Sequence, residues 1–164
     1  MAKVLIVSHY TPSLVNFRGE LIRSIVQRGH NVIAVGPERG HEHWIRDLGA
    51  SFLRIRLHRT GVNPVEDFLT FWDLLCLIKS IRPDVVFSYA IKPVIYGSIA
   101  AGLQGISRVY SLITGLGYAF ANESLTQKIL NRGVVLLYRW AIRYNRVVFF
   151  QNRDDLEFFR SLTS

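Results

Sequence analysis

Several features that mark common protein classes are missing from the sequence. Its 164 residues include one cysteine, Cys76, so no internal disulfide can form and a reducing compartment is expected. No apolar run approaches the ~18 residues of a membrane-spanning helix, and the short run after Lys3 is not a secretion signal. The glycine motifs of dinucleotide-binding and P-loop folds do not occur. These absences predict a cytoplasmic chain and argue against a dehydrogenase or a P-loop nucleotide hydrolase.

The histidines lack the spacing of a metal site. His41 and His43 lie two residues apart at a predicted helix start and therefore do not share a face. The other histidines show no metal-site spacing with Cys76 or with carboxylates. We therefore expect no metal and no cofactor, and no catalytic residue can be assigned from spacing alone.

Acidic residues are scarce, and they are unevenly placed. Lys and Arg number 20 against 12 Asp and Glu, which gives a formal net charge of +8. Residues 88–150 carry seven basic residues and one acid, Glu123. This balance predicts an anionic partner, such as a phosphate group or a membrane surface. Nucleic acid is not expected, because the sequence has no helix-turn-helix, RNP-type aromatic motif or cysteine finger.

Apolar runs and helical spacing alternate along the chain. Short runs of β-branched residues predict strands that are buried on both faces, and apolar residues three or four positions apart predict helices. The sequence predicts a single Rossmann-like α/β domain over residues 1–164, doubly wound around a mostly parallel sheet of about six or seven strands. Cys76 is expected in its core. The predicted strands are 3–8, 31–36, 51–57, 84–89, 108–113 and 146–151, and the predicted helices are 14–28, 42–48, 64–81, 93–103, 124–144 and 153–162.

Ligands of such sheets bind beyond the carboxyl ends of the strands, so the residues after each strand are site candidates. A helix start can receive an anion, a lysine can hold a phosphate as a point charge, and glycines permit close approach of a ligand. The alternatives are a solvated arginine, a surface lysine and an ordinary tight turn. The candidates are His9, Asn16 and Arg18 after the first strand, Tyr89 and Lys92 after the fourth, and Thr114, Gly115, Leu116 and Gly117 after the fifth.

The long helix predicted over residues 124–144 carries a basic face. Its basic residues fall within about 60° of the helix circumference, and two aromatic residues border them. Such a stripe suits an anionic membrane surface, and the alternative is an ordinary solvated helix face. The basic residues are Lys128, Arg132, Arg139 and Arg143, and the aromatic residues are Trp140 and Tyr144.

Four segments together resemble a known family. They are H-Y-T-P-S-L-V-N-F-R-G after the first strand, S-Y-A-I-K-P-V-I-Y-G at the fourth, I-T-G-L-G-Y-A-F at the fifth and F-F-Q-N-R-D-D at the sixth. In this order they resemble the N-terminal, acceptor-binding domain of GT-B glycosyltransferases of family 4. The likeness is to the bacterial capsule, O-antigen and lipid-linked oligosaccharide branch, and it extends over residues 3–159.

The resemblance implies a retaining transferase with two Rossmann-like domains. The N-terminal domain would bind the acceptor, commonly a glycan on undecaprenyl diphosphate, and the C-terminal domain would bind the nucleotide-diphosphate sugar. The donor-binding glutamate pair of the family is not found in these residues. The chain is therefore expected to be the acceptor-binding half of a hexosyl- or N-acetylhexosaminyltransferase, inactive alone and peripheral to the inner face of the cytoplasmic membrane.

The resemblance also bears on individual residues. Tyr89 stands where many members place a histidine that contacts the donor sugar, so no catalytic residue is carried over. If the first and fourth strands are neighbours, Arg18 and Lys92 are expected to face the acceptor diphosphate together. The alternative reading of the whole chain is a non-catalytic subunit that docks the catalytic chain of a split glycosyltransferase on the membrane.

Overall fold

Six parallel strands form one sheet. The computed structural model describes residues 1–37, 40–57, 63–115 and 125–163, of which 125–131 and 162–163 are described through their backbone alone. The strand order is β3-β2-β1-β4-β5-β6, and each neighbouring pair is parallel. The predicted doubly wound α/β fold is confirmed. The strands are β1 (Lys3–Val7), β2 (Asn31–Gly36), β3 (Ser51–Arg54), β4 (Val85–Tyr89), β5 (Val109–Ile113) and β6 (Val147–Phe150).

Helices cover the sheet in two layers. Side chains of β1 alternate between them, because successive residues of a strand point to opposite faces. Val4 and Ile6 pack in one hydrophobic cluster, and Leu5 and Val7 pack in another. The helices are α1 (Pro12–Asn16), α2 (Gly19–Gln27), α3 (Glu42–Asp47), α4 (Pro64–Ile81), α5 (Ile91–Leu103), α6 (Leu125–Ile142) and α7 (Arg153–Thr163). We call the side with α1, α2 and α3 the first layer, and the side with α4, α5 and α6 the second layer.

The helix predicted over residues 14–28 is interrupted. It forms α1 and α2, because Arg18 has φ −125° and ψ 1°, outside the helical region. The interruption turns the apolar face, so that Leu14 and Ile22 are buried while Phe17 is 72% exposed. One continuous helix would place Leu14 and Phe17 on the same face. The prediction of a single helix over residues 14–28 is therefore wrong.

Local sequence sets both ends of α4. Asn63 caps its start, since the side-chain Oδ1 accepts a hydrogen bond from the Val65 backbone N–H at 3.1 Å. At the other end, Arg82 adopts a left-handed conformation with φ 49° and precedes Pro83. The bounds of α4 agree with the prediction from sequence. Cys76, however, is exposed on its outer face, so the expectation that it lies in the core is wrong.

A third cluster fixes α6 to the body of the domain. The rings of Tyr138 in α6 and Phe159 in α7 meet edge-on, with 5.5 Å between their centroids. Ile99 of α5 and Ile113 of β5 belong to the same buried cluster. Burial of Tyr138 raises the pKa of its hydroxyl. With this face held inward, the opposite face of α6 points to solvent.

Tyr144, just after α6, packs against α5. Its ring lies directly over Gly102, where an added Cβ would overlap the Tyr144 ring carbon Cδ1. Tyr144 is half-buried as a result. Part of its ring is thus engaged with α5, and its place at the border of a membrane surface stays a prediction.

We predict that Gly102→Ala destabilises the domain. Helix propensity alone favours alanine over glycine by up to about 1 kcal/mol, so a loss of stability requires the new methyl group to meet the Tyr144 ring. The matched control is Gly133→Ala in α6, where a Cβ meets no described atom within 4 Å. Urea denaturation should give a lower free energy of unfolding for the first variant and a higher one for the control. Equal stabilisation of both would contradict this packing.

Candidate functional site

The chain segments that follow β1 and β4 leave the sheet side by side. Val7 pairs with Ser88 in the parallel register, so both segments start at the same edge. The direction of strand order reverses here, since β2 lies on one side of β1 and β4 on the other. Open α/β sheets bind their ligands in the crevice at such a point. Segments that begin here carry the predicted residues His9, Asn16, Arg18, Tyr89 and Lys92.

A buried hydroxyl network anchors Tyr89 in the first layer. The Tyr89 hydroxyl lies 2.8 Å from Ser13 Oγ, which lies 3.0 Å from Ser8 Oγ. Ser13 Oγ donates to the Tyr10 carbonyl at 2.6 Å, so the Tyr89 hydroxyl is the donor to Ser13. Tyr89 is only 3% exposed. Its hydroxyl thus serves the packing of α1, and the residue lies beneath the crevice surface.

Arg18 covers the ring of Tyr89. Its Cζ lies 5.0 Å from the ring centroid, a cation–π contact that contributes about 0.5–2 kcal/mol depending on desolvation. Nη1 donates to the Phe17 carbonyl at 2.9 Å, and Nε is buried without a hydrogen-bond partner among the described residues. A guanidinium has five N–H donors in a fixed fork. Arg18 therefore brings unused donors to the crevice, in the geometry that suits a phosphate or carboxylate.

Lys92 is bound to a carboxylate of the same chain. Its Nζ lies 2.7 Å from Asp67 Oδ1, and the two side chains are 15% and 12% exposed. Burial and the charge and hydrogen bond of Asp67 raise the pKa of Tyr96 on the next turn of α5. These three residues connect α4 to α5 in the second layer. Reasoning from sequence could not find this pairing, because Asp67 lies 25 residues before Lys92.

Arg18 and Lys92 make their contacts in different layers. Arg18 lies over Tyr89, whose apolar neighbours belong to the first layer, whereas Lys92 is paired in the second layer. The two cations thus have different partners within the chain, and a diphosphate shared between them stays a prediction. Lys92 as an anion ligand on its own stays a prediction, and an anion there would compete with Asp67.

The remaining predicted residues lie around this edge. His9 is half-buried directly after Ser8, and Asn16 is exposed at the end of α1. Thr114 is half-buried after β5, and Gly115 is exposed with φ 112°, a conformation that favours glycine. Outside the described residues lie Leu116 and Gly117.

Reasoning from sequence missed Ala90. It has φ 70° and ψ 163°, a backbone region that is essentially restricted to glycine and costs about 1–3 kcal/mol for other residues. Its N–H donates to the Leu112 carbonyl at 3.3 Å, and its carbonyl accepts from the Val94 N–H at 3.0 Å. These bonds hold the strained turn between Tyr89 and α5. An alanine in a sequence carries no signal of positive φ, so only the structure reveals the strain.

The outward face of α6 is basic and carries two exposed apolar side chains. The predicted stripe is thus an exposed surface as far as its side chains are described, and membrane binding by it stays a prediction. Lys128 belongs to α6, but its side chain is outside the described part. Exposed on this face are Arg132, Leu136, Arg139, Trp140 and Arg143.

The described residues build neither a metal cluster nor a membrane span. In these ranges, no three His, Cys, Asp or Glu side chains converge as they would around a metal ion. The described helices likewise include none with the length and apolar character needed to cross a bilayer.

A family model and a sequence relative both carry the name of a glycosyl transferase. A family model described as glycosyl transferase 4-like matches residues 3–152. A relative from Campylobacter jejuni is 25% identical over 155 residues, which are 94% of this chain and 41% of the relative. That relative is N,N'-diacetylbacillosaminyl-diphospho-undecaprenol alpha-1,3-N-acetylgalactosaminyltransferase.

Solved structures share the fold. MurG of Acinetobacter baumannii superposes with a TM-score of 0.59 at 18% identity, over 94% of this chain and 42% of MurG. A UDP-N-acetylglucosamine 2-epimerase superposes with a TM-score of 0.65 at 15% identity, over 99% of this chain and 45% of the epimerase. The chain thus spans about two fifths of the length of the proteins that it matches.

We predict that Ala90→Gly stabilises the domain by about 1 kcal/mol, because glycine adopts the observed backbone without strain. The control is Ala101→Gly on the buried face of α5, where glycine should lower the free energy of unfolding. Both values come from urea denaturation. A loss of stability at position 90 similar to that of the control would show that the turn is not strained.

We predict that Lys92→Met lowers the free energy of unfolding by about 3 kcal/mol, because it leaves the Asp67 carboxylate buried without a countercharge. Adding Asp67→Asn should recover most of that loss. The exposed pair Arg153–Glu157 is the control, and Arg153→Met should cost less than about 1 kcal/mol. Additive losses in the double variant would contradict coupling between Lys92 and Asp67.

Proposed function

The chain belongs to the glycosyl transferase 4-like family, and we propose that it binds the acceptor during retaining transfer of a hexose or N-acetylhexosamine to a lipid-linked glycan. The family match over residues 3–152 is the observation that carries this proposal. The name of the C. jejuni relative includes both a sugar transfer and a diphospho-undecaprenol acceptor, which supports an acceptor of that chemical class. Such glycans are intermediates of surface polysaccharides, including capsule and O-antigen.

We assign the nucleotide-diphosphate sugar to a second domain outside these residues. The relatives are more than twice as long as the matched part, and this leaves room in them for a separate donor-binding domain. By itself this chain would then be inactive. The match to only about two fifths of each relative is also compatible with the alternative, in which the chain is a non-catalytic subunit that docks the catalytic chain of a split glycosyltransferase on the membrane.

Arg18 is our candidate ligand for the acceptor diphosphate. Its buried Nε has no partner among the described residues, and its fork matches two phosphate oxygens. Each charged hydrogen bond to the ligand would contribute about 1.5–3 kcal/mol. Tyr89 holds the guanidinium in place from below, while its own hydroxyl is engaged with Ser13. His9, Asn16, Thr114 and Gly115 are candidates for contacts with the sugars, since they surround the same edge.

We also propose a peripheral position on the inner face of the cytoplasmic membrane. The basic face of α6 supports it, because each Lys or Arg near an anionic surface contributes about 1 kcal/mol of attraction. Salt would weaken this contribution, since it decays within a Debye length of about 8–10 Å. The acceptor is held in the same membrane by its lipid, so docking would raise its local concentration at the crevice.

We predict that Arg18→Gln, in a longer protein that carries both domains, raises the KM for a polyprenyl-diphosphate-linked acceptor by about 10- to 100-fold. The KM for the nucleotide sugar should stay within about twofold, because that ligand binds mainly to the other domain. Arg28→Gln is the control, since Arg28 is exposed at the far end of α2. If only the donor KM moved, Arg18 would belong to the donor site and the assignment to the acceptor would fail.

A further inference from the structure

An exposed apolar row runs along the outer face of α4. Val65, Phe68 and Trp72 are 67%, 59% and 52% exposed. Their spacing of three and then four residues places them on one side of the helix. The rings of Phe68 and Trp72 stack, with 6.3 Å between their centroids and 25° between their planes. Single exposed apolar residues are ordinary, whereas a contiguous aromatic row marks an interaction surface. We call these three residues the α4 apolar row.

The α4 apolar row lies near the edge that carries the crevice. In a parallel sheet the connecting helices run against the strands, so the first turns of α4 lie at the carboxyl edge. Asp67, next to Phe68, binds Lys92 in the first turn of α5. That ion pair fixes the start of α4 beside the segment that leaves β4, which also carries Tyr89 and Ala90.

The row also shares its side of the molecule with the basic face of α6. Helix α5 packs between α4 and α6, and residues 93–95 and 97–101 of α5 are all buried. The outer faces of the two flanking helices therefore point out of the same layer. One carries stacked aromatic rings, and the other carries arginines with exposed Leu136 and Trp140. The interface of an anionic bilayer can bind both faces, because its acyl chains suit the aromatic rings and its headgroups suit the arginines.

Two carboxylates next to the row are paired with neighbouring cations. Asp67 is paired with Lys92 at 2.7 Å. Asp73 accepts two hydrogen bonds from Arg56 at 2.6 and 2.8 Å, and this guanidinium lowers the pKa of Asp73. These two acids therefore add little repulsion against an anionic surface.

We propose that the α4 apolar row is a lipid-contact surface, which enters the interface of an anionic bilayer while the basic face of α6 lies on the headgroups. The contact would bring the crevice edge close to the depth at which a lipid-linked acceptor presents its diphosphate. Only this last consequence rests on the proposed function. The lipid contact itself requires neither acceptor nor donor.

The test uses the 164-residue chain and vesicles of phosphatidylglycerol and phosphatidylethanolamine, without substrates. Phe68→Ser/Trp72→Ser should lower the partition coefficient in co-sedimentation by at least about tenfold, because two aromatic side chains no longer leave water on binding. Trp44→Ser, which removes an exposed tryptophan of the first layer, is the control and should leave binding unchanged. Far-ultraviolet circular dichroism and urea denaturation establish that each variant is folded.

A second readout locates the contact. In a Trp44→Phe/Trp140→Phe background, Trp72 is the one tryptophan left of three. Its fluorescence should shift to the blue on vesicle addition and be quenched by brominated acyl chains. In high salt the contribution of the arginines should fall, while the loss caused by Phe68→Ser/Trp72→Ser should persist.

Two outcomes would overturn the proposal. Unchanged partitioning of Phe68→Ser/Trp72→Ser, together with an unshifted Trp72 spectrum, would exclude lipid contact by the row. Concentration-dependent dimers that this variant abolishes, with vesicle binding intact, would assign the row to a second copy of the chain. If vesicles bind as expected but Arg18→Gln leaves the acceptor KM unchanged, the proposed function fails and the lipid contact stands.

Discussion

The parallel pairing of β1 with β4 is the constraint on which the ligand edge depends. With Val7 opposite Ser88, the next residue of each strand emerges at the same edge, and Tyr89 reaches Ser13 across it. A shift of one residue would move Tyr89 into the second layer, since strand side chains alternate between faces. Such a shift would separate the hydroxyls of Ser8, Ser13 and Tyr89, which are buried and depend on each other for hydrogen bonds.

The register of β1 against β4 also determines the contacts of the two cations at this edge, Arg18 and Lys92. Arg18 lies on the side to which Tyr89 points, so its guanidinium is held over an aromatic ring and keeps donors unused by the described residues. Lys92 begins a helix of the other layer, and there Asp67 neutralises it. One cation is therefore suited to a ligand, while the other connects two helices. Both follow a strand and both are basic, so the sequence alone made them look equivalent.

Features with local causes could be predicted from sequence, and features with long-range causes could not. The buried strands and the limits of α4 follow from apolar runs, from the Asn63 cap and from Pro83, all within a few residues. The pairing of Lys92 with Asp67 and the strain at Ala90 depend on contacts between distant segments. The exposure of Cys76 belongs to the same group, since an apolar helix does not tell which of its faces is covered.

Ala90 lies between two residues that long-range contacts hold in different layers of the domain. Tyr89 is fixed in the first layer by Ser13, and Lys92 is fixed in the second layer by Asp67, so the chain must pass from one layer to the other within three residues. The positive φ of Ala90 accomplishes that passage. The strain is sustained because both anchors are buried, and a strained turn persists only where its surroundings determine it. In the proposed function, this turn links Tyr89, which supports Arg18 in the crevice, to the helices that face the membrane. A rigid turn would therefore hold the crevice at a fixed position relative to the membrane-facing helices.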